Sequence, residues 1–434
     1  MAVVNWIATN IFGNAGFLLG IIVMLGLILQ KKSFSQTVQG TIKAIIGFQI
    51  IGIGSGIVVS SLNVFQPMWA EVFGLEAQSL GKYMGQNDFV QRFGTVVTLS
   101  MTFGFLINVL LARITKFKYI YLTGHMMFWT SLIFAGIIFD QNINANTFAV
   151  TVFLSIVLGV YWTLQPALTQ PFLRKITGND SVALGHTSAS VAFLGAVAGK
   201  FVGNKDKSTE DLVISDKWGF LRDSNIVTGI TMAVLFIIGT ILLMIKNTEG
   251  AREILVTSGD TSFIIYSILT SLQFAGGIAV VLFGVRMFIG EMVPAFKGIA
   301  TKIVPGAIPA LDAPIVYPYA PNAVIIGFLG AFVASLIWLV ILGNTVGYVF
   351  VPTMIAIFFH AGTAGVFGNK TGGIRGALFA GVITATIIAI GQYVMVTFLA
   401  PTTVPDVVMW LLIPICLSLG RLSGSLPASY SKKI

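Results

Sequence analysis

The sequence predicts an all-α polytopic membrane protein of about eleven transmembrane helices, with re-entrant hairpins and amphipathic helices between them. Of its 434 residues, 56% are hydrophobic and 9% charged, where a soluble protein carries roughly 25% charged residues. The mean hydropathy is +0.92, so the chain has more apolar surface than water can solvate and its solvent must be lipid. Charge-free apolar windows of roughly 20 residues, the length that crosses a bilayer, recur along the whole chain.

Taken in order, the windows fall near 11–30, 40–60, 94–112, 119–139, 147–167, 226–245, 262–285, 322–342, 346–366, 376–399 and 406–424. No basic residue precedes the first, and Lys31 and Lys32 follow it directly, so it reads as a span and not as a cleavable leader. The loops Asp140–Asn146, Gly343–Gly347 and Pro401–Asp406 hold no Lys or Arg. Lys31, Lys32, Arg113, Lys116, Lys118, Arg174, Lys175, Lys297, Lys302, Lys370, Arg375, Arg421, Lys432 and Lys433 fall on the other side of the same spans. The positive-inside rule therefore places the N-terminus outside and the C-terminus in the cytoplasm, with Lys200–Arg222 as the main cytoplasmic loop. Lys82, Arg92, Lys246 and Arg252 are the exceptions, the last two offset locally by Glu249 and Glu253.

Twenty-five Lys and Arg against sixteen Asp and Glu give a net charge of +9. In a membrane chain this excess is an orientation signal and a basic cytoplasmic face, not a sign of nucleic-acid binding. A single cysteine, Cys416, excludes a disulfide scaffold, a Cys-rich metal site and CxxC redox chemistry. A covalent thiol intermediate would have to use Cys416 or another polypeptide.

Three apolar regions are not clean spans. Asn63–Val90 mixes aromatic and charged residues, 170–198 carries His186, and Val285–Asn322 holds Arg286, Glu291, Lys297, Asp312 and six prolines, five of them between Pro305 and Pro321. Prolines break helices, and broken backbone at membrane depth survives only where protein or water satisfies it, as around transporter substrate sites. A weak internal match joins Gln39–Gly47 to Lys297–Gly306. The expected organisation is one membrane domain over 1–434, with a first repeat at 1–199, a loop at 200–223 and a second repeat at 224–434.

Few ionisable groups lie at membrane depth. Asp312, in PALDAPIVYPYAPNAV, is costly there unless it is paired or faces water. It reads as a ligand-contacting or proton-accepting carboxylate, or else as a partner of Lys302 or of a backbone amide at a half-helix start. His125 in LTGHMMFW and His186 in LGHTSASVAF each follow a glycine, whereas His360 in IFFHAGTAG reads as a packed core residue. The two histidines and the aspartate lack local metal-ligand spacing, so no metal and no other cofactor is expected. The stretches IGIGSG and FGNKTGG lack the context and the terminal Lys-Ser/Thr of a phosphate loop.

The stretches LTGHMMF, GH at 185–186, FGVRMFIGEMVPAF, IVPGAIPALDAP and YAPNAVIIGF, in this order, resemble the ascorbate-specific permease of the bacterial phosphotransferase system, the IIC component of the ascorbate–galactitol group, over essentially the whole chain. The resemblance implies an inverted-repeat transporter in the bacterial cytoplasmic membrane, a homodimer whose core domain moves against a V-shaped scaffold in an elevator manner. Group translocation is also implied: L-ascorbate or a related sugar acid is bound, carried across and phosphorylated from the phosphocysteine of a separate IIB protein, itself charged through IIA. The chain would then be the transport component of a phosphotransferase.

Carried over residue by residue, the resemblance gives Tyr83, His125, His186 and Asp312 as substrate ligands, with Asp312 also placed to orient or deprotonate the attacking hydroxyl. Thr187 and Trp129 stand at substrate-binding positions where the family pattern has glutamine, so another sugar acid, a pentose or a polyol remains an alternative ligand. Composition and topology also leave open a secondary symporter that couples protons to an organic anion through Asp312 and the histidines.

Overall fold

The computed structural model describes residues 15–74, 86–211, 223–348, 350, 354–395 and 397. Tyr83, Lys82, Cys416 and the expected span at 406–424 lie outside the described residues.

The described residues are helical almost throughout. In order come α1 (Ala15–Leu29), α2 (Phe34–Phe73), α3 (Gln86–Ile114), β1 (Tyr119–Tyr121), α4 (Gly124–Gln141), α5 (Thr147–Thr177), β2 (Ala183–Leu184) and α6 (Ala189–Val202). A 3-10 turn (Thr209–Asp211) precedes α7 (Ser224–Lys246), α8 (Glu249–Val256), α9 (Phe263–Lys302) and β3 (Ile308–Leu311). A second 3-10 segment (Ala313–Tyr319), α10 (Pro321–Val346) and α11 (Met354–Val394) complete it. Among the described residues, seven helices are long and apolar enough to cross a membrane: α2, α3, α5, α7, α9, α10 and α11. The protein is thus an all-α polytopic membrane protein.

The expected spans and the observed helices differ where local chemistry overrides hydropathy. The windows at 40–60 and 262–285 are parts of two 40-residue helices, α2 and α9, which run on through Pro67 and Pro294. One proline removes one helical hydrogen bond and can be carried by a long, packed helix. The prolines from Pro305 to Pro318 do keep their segment out of α-helix, and Pro321 opens the next one. Their segment opens into β3 and the 3-10 turn. The window at 119–139 starts as strand, and its helix begins only at Gly124.

The last two described windows share α11, interrupted at Gly373, whose φ of 60° is non-helical. The two arms fold back on each other: a Cβ on Gly368 would lie 2.3 Å from Gly376 O, and one on Gly195 of α6 would meet both Ala380 and Ala364 O. The turn of this hairpin is the FGNKTGG stretch, whose glycines allow that close approach.

Small residues set the packing elsewhere too. Helices α2 and α9 run antiparallel, with Gly47 against the Phe288 backbone and Gly54 against Gly277. Where lipid supplies no hydrophobic drive between helices, such approach gains dispersion contacts instead. The matched glycine-lysine stretches stand at opposite ends of their helices, Gly40 early in α2 and Gly298 late in α9. Lys246 is not offset by its neighbour Glu249. It ends α7 and pairs with Glu71 of α2 at 3.5 Å, while the Thr248 hydroxyl donates to the same carboxylate.

The 3-10 turn at 209–211 ties the polar loop to the helices. Glu210 Oε1 accepts the N–H groups of Asn322 and Ala323 at 3.1 and 3.2 Å, capping α10 from a distance. Asn369 in the first arm of α11 accepts the Thr209 N–H at 2.9 Å. Burial pushes the Glu210 carboxyl above its ordinary range, against the pull of these donors.

Candidate functional site

Three very short strands form one parallel sheet in the order β1, β3, β2. The register pairs Tyr121 with Ala310 and Leu184 with Leu311. Such a sheet within a membrane protein exposes strand edges that lipid cannot satisfy. Two buried side-chain amides cover them. Asn108 of α3 donates to Tyr119 O at 3.1 Å and accepts the Tyr121 N–H at 2.9 Å, a peptide group in all but name. On the other edge Gln170 of α5 donates to Val182 O at 3.1 Å and to Asp180.

The three strands run in one direction, so their carboxyl ends converge. His125 follows β1, His186 follows β2 and Asp312 follows β3 directly. His125 Nε2 lies 3.5 Å from Asp312 Oδ2, and His186 Nε2 lies 3.8 Å from Asp312 Oδ1. Three residues separated by 61 and 126 positions in the chain thus meet around one carboxylate.

Asp312 caps the 3-10 segment, its Oδ1 accepting the Ala313 N–H at 2.7 Å. Of the partners expected for Asp312, the backbone amide at a helix start is the one found, and the carboxylate faces the histidines, not Lys302. The imidazole distances exceed those of formed hydrogen bonds, so Oδ2 keeps accepting capacity for a ligand. Side-chain exposure falls from His125 (45%) through Asp312 (26%) to His186 (4%), a gradient from open to buried across the site.

The protonation pattern of His186 follows from its partners. Nδ1 accepts the Ser188 N–H at 3.0 Å, so the ring proton belongs on Nε2, the nitrogen that faces Asp312. Next to it, His360 Nδ1 lies 3.0 Å from Ala356 O, an acceptor only, and must carry the proton. His360 Nε2 then accepts from the Thr187 hydroxyl at 3.0 Å. The two rings lie 5.1 Å apart.

His360 is thus part of the site's frame, although its surroundings in the sequence suggest a packed core residue. No local signal separates the two roles, because the partner that ties it to the site, Thr187, is 173 residues away. Trp129 lies one helical turn beyond His125 and packs edge-on to Phe128, with no contact to Asp312 among those described. Among the described residues, no group of three His, Cys, Asp or Glu is arranged to hold a metal.

A small pocket, partly open to the outside, lies beside Asp312. Phe48 and Ile51 of α2 and Val285 and Phe288 of α9 form one wall, and Leu122, Thr123, Leu311 and Asp312 form the other. Sites of this kind, apolar with a few convergent polar groups, suit small organic ligands.

The model of the EIIC-GAT family, the PTS system sugar-specific permease component, matches residues 10–415. The chain is also 28% identical over 418 residues to the ascorbate-specific PTS system EIIC component of Mycoplasma pneumoniae, a match covering 85% of this chain and 63% of that protein. The chain therefore spans less than two thirds of the length of that curated relative.

Proposed function

The chain belongs to the EIIC-GAT family of phosphotransferase-system sugar permease components, and from that premise we propose that it binds and translocates L-ascorbate or a closely related sugar acid. The observation that carries this reading is the convergence of His125, His186 and Asp312 at the carboxyl ends of three parallel strands, beside a mostly apolar pocket. An imidazole Nε2–H and a carboxylate with free lone pairs suit a ligand that both donates and accepts, as an enediol or polyol does. Tyr83, Trp129 and Thr187 belong to the same proposed ligand set.

Phosphorylation would occur on the cytoplasmic side. Asp312 accepts the proton of a substrate hydroxyl as that oxygen attacks the phosphorus of a phosphocysteine on a separate IIB protein. The O–P bond forms, the S–P bond breaks, and the cysteine leaves as thiolate. IIA would recharge IIB.

The same reading places the protein in the bacterial cytoplasmic membrane with the N-terminus outside, as a homodimer that works by an elevator motion. Segments 1–199 and 224–434 act as two repeats joined by the 200–223 loop, a division supported by α2 and α9. Each has 40 residues and one internal proline, and the two pair antiparallel.

The test is uptake of labelled L-ascorbate into membrane vesicles containing the protein, with phosphorylated IIB supplied on the cytoplasmic face. Accumulation as a phosphate ester that requires IIB is expected. Accumulation of free ascorbate without IIB would support proton-coupled symport and contradict group translocation.

A further inference from the structure

Thr123 occupies the N-cap position of α4 but does not cap it. Its backbone (φ −89°, ψ 84°) leaves the hydroxyl without a bond to the first turn, where a capping threonine would accept from the second or third amide. Its Oγ1 is buried, with the residue 4% exposed, and has no hydrogen-bond partner among the described residues. A buried hydroxyl left unpaired destabilises the fold, and most such groups in native proteins find a partner.

The register explains where that hydroxyl stands. Tyr121 pairs with Ala310, so counting two residues on from each partner brings the chain to Thr123 and Asp312, just past the strand ends. On the other side of β3, Leu184 pairs with Leu311, which sets Gly185 in the same row. Leu122 N–H donates to Ala310 O at 2.9 Å and Gly185 N–H to Leu311 O at 2.7 Å, closing the last rungs of the ladder just before these residues. Thr123 and Asp312 both line the pocket, whose other lining side chains are apolar.

We propose that Thr123 is a substrate-contacting, specificity-determining residue whose hydroxyl bonds, together with Asp312, to one hydroxyl of a polyhydroxylated ligand in this cavity. A single ligand O–H can donate to the carboxylate and accept from the threonine, which satisfies all three groups at once. The apolar walls from α2 and α9 then cover the ligand's carbon skeleton. Resting on the reading of the chain as a sugar permease, this assigns a further ligand to that site. A site that hydrogen-bonds a hydroxyl discriminates strongly against an analogue lacking it.

The experiment measures thermal stability without ligand and equilibrium binding of L-ascorbate and galactitol to the purified full-length protein, for wild type, Thr123→Val and Thr123→Ser. Thr123→Val keeps the shape and removes the hydroxyl. Its ligand-free melting temperature should equal or exceed that of wild type, because an unpaired buried group has gone, while its Kd for the bound probe rises at least tenfold. Thr123→Ser should restore binding to within about threefold. A lower ligand-free melting temperature for Thr123→Val would show a structural partner for the hydroxyl and overturn the proposal. So would an unchanged Kd. If wild type binds neither probe, the functional reading fails, and the Thr123 assignment falls with it; an unchanged Kd beside good wild-type binding removes Thr123 alone.

Discussion

His186 turns its protonated Nε2 toward Asp312 Oδ1 at 3.8 Å because its other ring nitrogen is already taken by the Ser188 N–H at 3.0 Å. The tautomer is fixed by the local turn, and the electrostatic consequence appears on a residue 126 positions further along the chain. His186→Ala removes the donor without touching the strands, and His186→Gln returns an N–H of similar reach. Uptake of labelled ascorbate should fall at least a hundredfold in His186→Ala and recover in part in His186→Gln, at equal membrane levels by immunoblot. Wild-type uptake in His186→Ala would remove this residue from the site.

Gly185 has no room for a side chain. A Cβ there would sit 2.6 Å from Ala310 O, a backbone atom of the central strand. Gly185→Ala must therefore push β2 away from β3 and carry His186 with it. We expect a membrane-inserted protein with at least tenfold weaker ascorbate affinity. Unchanged affinity would mean that the sheet yields more easily than its hydrogen bonds suggest.

Asn108 is the main polar investment in the sheet. Asn108→Leu keeps the volume but orphans Tyr119 O and the Tyr121 N–H and takes one donor from the Thr163 hydroxyl. At about 1–3 kcal/mol for a buried orphaned group, the variant should show a clearly lower melting temperature in detergent. A melting temperature equal to wild type would contradict the edge-covering role.

His360 and Thr187 form one unit, because the Thr187 hydroxyl donates to His360 Nε2. Removing either partner, as in His360→Phe or Thr187→Val, leaves a polar group without its partner. The double variant should be less damaging to stability than the sum of the two singles, the signature of a direct coupling. Strict additivity in a double-mutant cycle of melting temperatures would argue against the bond.

Glu210 gives a pH signature outside the spans. Burial raises its carboxyl above the ordinary 4.5, so the folded state holds its proton more tightly than the unfolded state. The stability tied to that proton is full below the unfolded pKa and is lost as pH rises through the folded one. Melting temperature should therefore decline with pH just above 4.5, and Glu210→Gln should flatten that stretch of the profile. An identical profile in the variant would show that Glu210 does not set it.

Much of this architecture was legible in the chain, for physical reasons. Hydropathy marks apolar length, so the helices around 94–112, 226–245 and 322–342 appear where the windows put them. The scarcity of charge made His125, His186 and Asp312 stand out. What hydropathy cannot mark is a strand of two to four residues inside an apolar run, because strand and helix interior look alike there. The sheet, its amide caps Asn108 and Gln170, and the place of His360 depend on pairings more than ten residues apart. Pro294 ended no helix because a single proline does not outweigh 40 residues of packing, whereas the cluster from Pro305 to Pro318 does.

Equilibrium binding of labelled L-ascorbate to the purified protein, comparing wild type with Asp312→Asn, tests the strand-end site most directly. The asparagine keeps the shape, and its Oδ1 can still accept the Ala313 N–H, so the 3-10 cap survives while the charge beside His125 and His186 is lost. Saturable binding to wild type and at least a hundredfold weaker binding to Asp312→Asn, at similar melting temperatures, is the expected result. Equal affinity in the two proteins would contradict a site centred on Asp312.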